Sequence, residues 1–242
     1  MQFGRLTIGD IPRVVGTISQ APTLMNFAKT TDVPCDVVEV RLDNVGVGHV
    51  PEWVAKCKAI EARGWPVIFT LRLAVEGGTW RRPDETRINF FTTALEHLSA
   101  VDVELQSPLV PKLAGLARAA KKALIVSFHD FVKTPPLRSL QDRVTEAGRY
   151  ASVVKVTTMV TKPEDVVTLR QLLEQDWDVP LCVMGMGAAG TVTRTLFPTL
   201  GSCLTYGYLD ASAAPGQLAA AELVQQLEAL LPDYRQRRRQ EA

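Results

Sequence analysis

The chain has 242 residues, 46% of them hydrophobic and 22% charged, enough to bury a large core as one barrel-sized domain or two small ones. A net charge of +1 gives no electrostatic case for nucleic acid or for an acidic partner. No apolar stretch is long enough to span a membrane, and no basic segment followed by an apolar one opens the chain, so a soluble cytoplasmic protein is expected.

Short apolar, β-branched runs alternate with amphipathic stretches from end to end. Residues 1–9 precede the first run and suit a small lid under the body of the fold. The strand candidates are then Arg13–Ile18, Asp36–Leu42, Pro66–Leu73, Val101–Leu105, Ala123–Phe128, Ser152–Thr157, Pro180–Met184 and Cys203–Tyr208. Most are almost continuously apolar, as parallel strands covered on both faces should be. Helical spacing fills the gaps: Ile88, Phe91, Leu95 and Leu98 fall at i, i+3, i+7 and i+10, and Leu137, Leu140, Val144 and Ala147 repeat the pattern. Ser107-Pro108 and Thr134-Pro135 place a cap residue before proline, and Thr161–Glu164 has the form of a capping box. Eight strand–helix units of roughly 25–30 residues are the repeat of a (β/α)₈ TIM barrel, whose typical length is about 250 residues. An open doubly wound sheet permits the same alternation, but eight units without an obvious topological break favour closure. One domain then spans 1–242, with a basic, solvated tail from about residue 233 that holds Arg235–Arg239. No second catalytic domain is expected after the last helix, which ends near Leu231.

Cys35, Cys57, Cys182 and Cys203 are widely spaced with no CxxC pair, which predicts reduced core thiols and no metal site. Chemistry gathers elsewhere. In a barrel the active site lies at the C-terminal ends of the strands. Glu39 and Arg41 come from the second strand, Arg72 from the third with Glu76 just beyond, Asp102 and Glu104 from the fourth, and His129 and Asp130 from the fifth. Lys155 lies in the sixth, Arg194 follows the seventh and Gln217 the eighth. So many buried charges, unpaired, would cost on the order of several kcal/mol each, which is too much for a structural core.

Singly, each has a plainer explanation: a lysine in an apolar run snorkels, a strand-end histidine is satisfied structurally, and Arg41 and Arg72 form rim ion pairs. Their convergence favours a catalytic site. Of three histidines, His97 falls on a helix and His49 in a loop, which leaves His129 as the acid–base candidate. A lysine with its ordinary pKa of about 10.4 cannot attack a carbonyl at neutral pH, so Lys155 is expected among apolar groups and arginines that free its amine. As an iminium, a ketone becomes an electron sink that acidifies the adjacent C–H; His129 can remove that proton and return it to a leaving hydroxyl. Three arginines imply an anionic or polyhydroxy substrate.

Gly185–Gly190 spells GxGxxG after a strand, with Asp210 about twenty residues on. A dinucleotide would place its pyrophosphate there and its ribose on the acid. The motif's late position and the following Arg194 favour a tight turn that delivers the arginine to the mouth.

Several segments resemble the type I 3-dehydroquinate dehydratase family. Glu39-Val-Arg41-Leu-Asp43 is similar to E-W-R-x-D, Thr70-Leu-Arg72 with Glu76-Gly77-Gly78 to T-x-R-x-x-x-E-G-G, Ser127-Phe-His129-Asp130-Phe131 to S-N-H-D-F, and Pro215-Gly216-Gln217 to the closing A-P-G-Q loop. The likeness runs in order from about Pro12 to Gln217. It implies dehydration of 3-dehydroquinate to 3-dehydroshikimate in the shikimate pathway, on a dimeric barrel without metal or other cofactor. It makes Lys155 the imine-forming residue, His129 the general acid–base and Glu76 its orienting partner. Arg194 and Gln217 would hold the substrate carboxylate, and Glu39, Arg41 and Arg72 its ring hydroxyls; Asp102 and Glu104 would line the mouth as support. Val40 stands where the family has tryptophan, and Phe128 where it has asparagine. Aligned on Gln217, the family's lid serine becomes Ala213, whereas one extra loop residue would keep Ser212 in that role. A class I aldolase acting on a sugar phosphate or keto acid, and a non-catalytic barrel that binds a metabolite, are the other readings of the same residues.

Overall fold

A computed structural model describes residues 2–31, 33–46, 52–212 and 214–241. The chain opens with an antiparallel hairpin, β1 (Gln2–Phe3) and β2 (Leu6–Thr7), turned at Gly4 with φ +52°. The repeating part follows as β3 (Arg13–Ile18), α1 (Ala21–Asn26), β4 (Val37–Arg41), α2 (Leu42–Val45), α3 (Trp53–Ala62), β5 (Val67–Thr70), α4 (Ile88–His97), β6 (Ala100–Glu104) and α5 (Val110–Ala120). It continues as β7 (Ala123–Asp130), α6 (Leu137–Gly148), β8 (Val153–Met159), α7 (Pro163–Leu173), β9 (Leu181–Met186), α8 (Thr193–Leu196), β10 (Leu204–Tyr208), α9 (Ala220–Leu230) and α10 (Pro232–Glu241). Each expected strand is present, and β3 has the expected bounds.

Strands β3 to β10 form one parallel sheet in the order β10-β3-β4-β5-β6-β7-β8-β9, a nearly closed (β/α)₈ barrel. The seam between β9 and β10 is closed by other groups. The Cys203 N–H donates to Leu181 O at 2.8 Å, the Val183 N–H to Ser202 Oγ at 3.0 Å, and the Gly185 N–H to Thr193 Oγ1 at 2.8 Å. Near the mouth, Arg194 Nη1 donates to Tyr206 O at 2.9 Å. Side chains thus satisfy backbone groups that a ladder would otherwise pair.

Strand side chains alternate between two cores, as the two-residue period of a strand requires. Val38, Val40, Phe69, Val101, Val126, Val154 and Val183 face outward into the helices. Val15, Val37, Ile68, Ala100, Ile125, Val153 and Leu204 face inward, where Phe3, Leu6 and Ile8 of the hairpin plug the N-terminal end. The expected lid under the barrel is this hairpin. Further along the same inward rows the residues turn polar: Val37 is followed by Glu39 and Arg41, Ile68 by Thr70 and Arg72, Ala100 by Asp102 and Glu104, and Val153 by Lys155 and Thr157.

Some expectations need correction. The C-terminal run is not a solvated tail but helix α10, laid across the N-terminal end of the barrel. Tyr234 is fully buried there and donates its hydroxyl to Asp36 Oδ2 at 2.8 Å; Arg238 Nε reaches Asp36 Oδ1 at 3.1 Å, and Glu241 meets Arg13 at 2.5 Å. These residues fall at i, i+4 and i+7, so they share one helix face, while Arg235, Arg237 and Arg239 point to water. The run's composition hid that face. At α7 the capping acid is Asp165 rather than Glu164; it accepts the Thr161 N–H at 2.8 Å and the Lys162 N–H at 3.2 Å. Helices α5 and α6 begin two or more residues beyond the Ser-Pro and Thr-Pro pairs. All four cysteines are free and buried, and burial pushes the Cys57 and Cys182 thiols up to about 12. Among the described residues no helix is long and apolar enough to cross a membrane.

Candidate active site

The inward polar rows meet at a cleft of about 540 Å³ in the barrel mouth, lined by Glu39, Arg41, Arg72, Glu76, His129, Lys155, Arg194 and Gln217. Lys155 and His129 sit on neighbouring strands in fixed register, with Ser127 opposite Lys155 and His129 opposite Thr157. Paired residues of parallel strands point the same way, so imidazole and amine face the same cleft.

The lysine's surroundings differ from those expected. Its ammonium lies 3.1 Å from Asp102 Oδ2 and 4.0 Å from Glu39 Oε1, over the Tyr206 ring at 4.0 Å. Carboxylates therefore fix the amine, where apolar groups and arginines were expected to surround it. Glu39 is held by Thr17 Oγ1 at 2.9 Å and Thr70 Oγ1 at 2.8 Å. Burial alone would raise the Asp102 carboxyl, but Arg72 and Lys155 hold it well below the usual carboxylate range.

His129 is positioned by Glu76. One oxygen of that carboxylate accepts both the His129 backbone N–H, at 3.0 Å, and Nδ1, at 2.9 Å. Donation from Nδ1 fixes the tautomer and leaves the Nε2 lone pair available. Burial, reinforced by Arg72 and Lys155, lowers His129 well below 6.5, so the ring is a neutral base at pH 7. Burial raises Glu76 to about 7, against the pull of Arg72 and with help from Glu104. The loop that carries Glu76 depends on Gly77 at φ +79°, where a Cβ would overlap the Phe131 ring.

The three arginines divide into two kinds. Arg72 is largely committed within the protein: Nη2 to Asp102 at 2.7 Å, Nη1 to Ser127 Oγ at 2.7 Å and to Glu104 at 3.2 Å. Arg41 is gripped by both oxygens of Asp43, at 2.9 and 2.8 Å, and the same carboxylate ties down the Thr79 N–H at 3.1 Å. Arg194 is 2% exposed yet has no carboxylate within ion-pair distance among the described residues. It donates to Gly216 O at 3.1 Å and to Tyr206 O. Burial pulls its guanidinium down to about 10, still cationic at neutral pH. A buried cation at a cleft without a carboxylate partner suits an anionic ligand.

The glycines after β9 form the turn that delivers Arg194. Their N–H groups are already used: Gly187 to Pro215 O at 3.0 Å, Gly190 to Gly187 O at 3.0 Å, and Gly185 to Thr193. Asp210 is spent on the Ser19 and Gln20 N–H groups at 3.0 and 2.9 Å. Neither the glycines nor the acid is available to a dinucleotide or phosphate. Among the described residues, no three His, Cys, Asp or Glu side chains cluster as metal ligands.

Ser212 is not brought to the cleft. It is exposed, and its hydroxyl donates to Ala214 O at 2.9 Å. Ala213 lies outside the described residues, as does His49. Sequence reasoning gave no role to Asp43 or Ser127, which it quoted only within motifs, and missed Thr157 and Tyr206. All but Asp43 continue an inward row of a strand, a signal present in the two-residue period once direction is known.

Residues 14–232 match the family model for type I 3-dehydroquinase. The 3-dehydroquinate dehydratase of Methanosarcina mazei is 34% identical to this chain, over 95% of the chain and 99% of the relative. Among solved structures, the 3-dehydroquinate dehydratase of Geobacillus kaustophilus is 26% identical with a TM-score of 0.86, covering 96% of each chain. The type I enzyme of Clostridium difficile, solved with covalent modified comenic acid, is 26% identical with a TM-score of 0.83, covering 95% of this chain and 96% of its own. The chain belongs to the type I 3-dehydroquinase family.

Proposed function

We propose that this protein is a hydro-lyase that converts 3-dehydroquinate to 3-dehydroshikimate through a Schiff base on Lys155, in the shikimate pathway of aromatic biosynthesis. The observation that carries the proposal is a buried amine and a neutral imidazole facing one cleft from adjacent strands, with a buried arginine in the same cleft that has no carboxylate within ion-pair distance among the described residues. Family membership supplies the substrate.

Arg194, with Gln217 beside it, binds the carboxylate, and Glu39 and Arg41 meet the ring hydroxyls. Asp102 and Glu39 aim Nζ at the cleft; His129 takes the ammonium proton and Nζ bonds to the ketone carbon. The imidazolium then protonates the alkoxide, His129 carries a second proton from Nζ to the same oxygen, which leaves as water, and the ring is neutral again. The iminium draws electrons from the adjacent C–H bond, and His129 takes that proton. The same proton goes to the hydroxyl on the next carbon, the C–O bond breaks and the second water departs. Water adds back to the iminium carbon and frees the amine. His129 is neutral after each half, which suits a ring whose charged form burial disfavours. The protein acts in the cytoplasm as a homodimer in this proposal.

Borohydride added with 3-dehydroquinate should reduce the iminium and leave a mass label on the Lys155 peptide. Normal turnover with an unlabelled Lys155 would refute the mechanism. An aldolase on a sugar phosphate is disfavoured because the glycine N–H groups after β9 already have acceptors.

A further inference from the structure

Arg87 belongs to none of the roles assigned above, yet it is fully buried and ends the 3₁₀ turn Asp84–Arg87 in the loop between β5 and α4. Its guanidinium is engaged on every side. Nε donates to Asp84 Oδ1 at 2.6 Å and Nη2 pairs with the same oxygen. Nη1 donates to Leu71 O at 2.6 Å and lies 2.7 Å from Glu104 Oε2. That last pair is an ion contact without hydrogen-bond alignment, because the N–H is aimed at the carbonyl; Glu104 Oε2 has no other hydrogen-bond partner.

From Glu104 the contacts continue inward. Its other oxygen accepts the Leu73 N–H at 2.8 Å and pairs with Arg72 at 3.2 Å; Arg72 pairs with Asp102 at 2.7 Å, and Asp102 with Lys155 at 3.1 Å. Asp84, Arg87, Glu104, Arg72, Asp102 and Lys155 thus alternate in sign from the loop to the amine. All except Asp84 are at most 5% exposed, where screening by water is weak and each charge depends on its neighbour's position. Arg72 is the shared member: Glu104 and Asp102 compete for one guanidinium. Without a cation beyond Glu104, Arg72 is drawn toward Glu104 and away from Asp102.

We propose that Arg87 is a positioning residue for the dehydration: by neutralising Glu104 from behind, it lets Arg72 hold Asp102 against Lys155 and so sets where Nζ points. The inference rests on the imine reading of Lys155 and names a residue that never touches substrate. Its effect falls on the chemical step, since Arg194 and Arg41 hold the substrate by contacts outside this chain of charges.

The test uses R87Q, which leaves the buried Glu104 charge with Arg72 alone, R87K, which keeps a cation behind Glu104 but loses the fork, and R87Q combined with E104Q, which removes the charge that draws Arg72 from Asp102. Steady-state dehydration and the rate of borohydride trapping are measured on each. For R87Q kcat should fall about ten-fold with KM within about two-fold, trapping should slow in parallel, and R87K and the double variant should each recover part of the loss. A lower melting temperature with kcat and trapping rate unchanged would make Arg87 a purely structural ion pair and overturn the proposal. So would a rise in KM alone. If R87Q does not fold, the double variant is compared with E104Q: with Glu104 already neutral, removing Arg87 should leave kcat and the trapping rate within about two-fold, and a further ten-fold fall would overturn the proposal. A parent chain that turns over but is not trapped counts against the imine itself, and the split between kcat and KM still tests Arg87.

Discussion

At the N-terminal end of the barrel, Asp36 accepts the Val14 N–H at 2.8 Å, the Tyr234 hydroxyl at 2.8 Å and Arg238 at 3.1 Å, while Arg13 is met by both oxygens of Glu241. At the mouth, Arg194 has no carboxylate within ion-pair distance among the described residues, and His129 and Lys155 face a cleft. Both ends bury charge, and at the N-terminal end Asp36, Arg13, Arg238 and Glu241 each meet an opposite charge. A buried charge whose hydrogen bonds all end on the protein holds elements together; one that keeps a donor or acceptor turned to a cavity is available for chemistry. Helix α10 belongs to the first kind, and the rows ending in His129 and Lys155 to the second.

The sharpest way to test this contrast is Lys155→Ala. It should lower kcat/KM by at least about 10⁴-fold, roughly 5 kcal/mol or more in the transition state, with the denaturant midpoint retained or raised. A residual rate within tenfold of the parent would break the comparison.

His129→Ala comes next, with an expected loss of about 10²–10⁴-fold in kcat. The pH profile gives the sign independently. Catalysis requires the neutral ring, and the folded protein holds His129 well below 6.5, so activity survives as pH falls past 6.5 and declines only further down. An acid limb centred at or above pH 6.5 in kcat/KM that persists in Glu76→Gln would contradict the buried neutral imidazole.

Arg194→Ala should raise KM by about 10–100-fold, the loss of one charge-assisted contact. A substrate analogue without the carboxylate should bind parent and variant alike. Equal discrimination by both proteins would place the anion elsewhere.

The smallest effect belongs to the opposite end. Tyr234→Phe removes one partner of buried Asp36 and should cost about 1–3 kcal/mol in urea unfolding while kcat and KM stay at parental values. A change in kcat without a change in stability would mean that the two ends are coupled.

Much of the barrel was legible because its strands are short, apolar and evenly spaced, and all eight lie where the runs are. Boundaries slipped where the polar continuation of a strand looked like loop: β7 extends through His129 to Asp130, and β8 to Met159. Eight of the nine site residues were found by collecting polar groups at strand ends, and those eight line the cleft; Ser212 came from the family resemblance alone. Ser212 does not line it; its loop is tied to Ser19 and Gln20 through Asp210 and to Gly187 and Arg194 through Pro215 and Gly216, partners that lie outside the loop in sequence.

By itself the sequence determined the eight strand–helix units and the lysine and histidine on neighbouring strands, because burial on both faces and side-chain alternation are local properties of a strand. Which charges pair is not local. Tertiary structure decided that Lys155 meets carboxylates, that Arg72 serves Asp102 and Glu104, and that a run of arginines folds back through Tyr234 as a plug. The physical reason is that ion pairs and hydrogen bonds act over about 3 Å, and residues such as Asp36 and Tyr234 come that close only when the barrel closes.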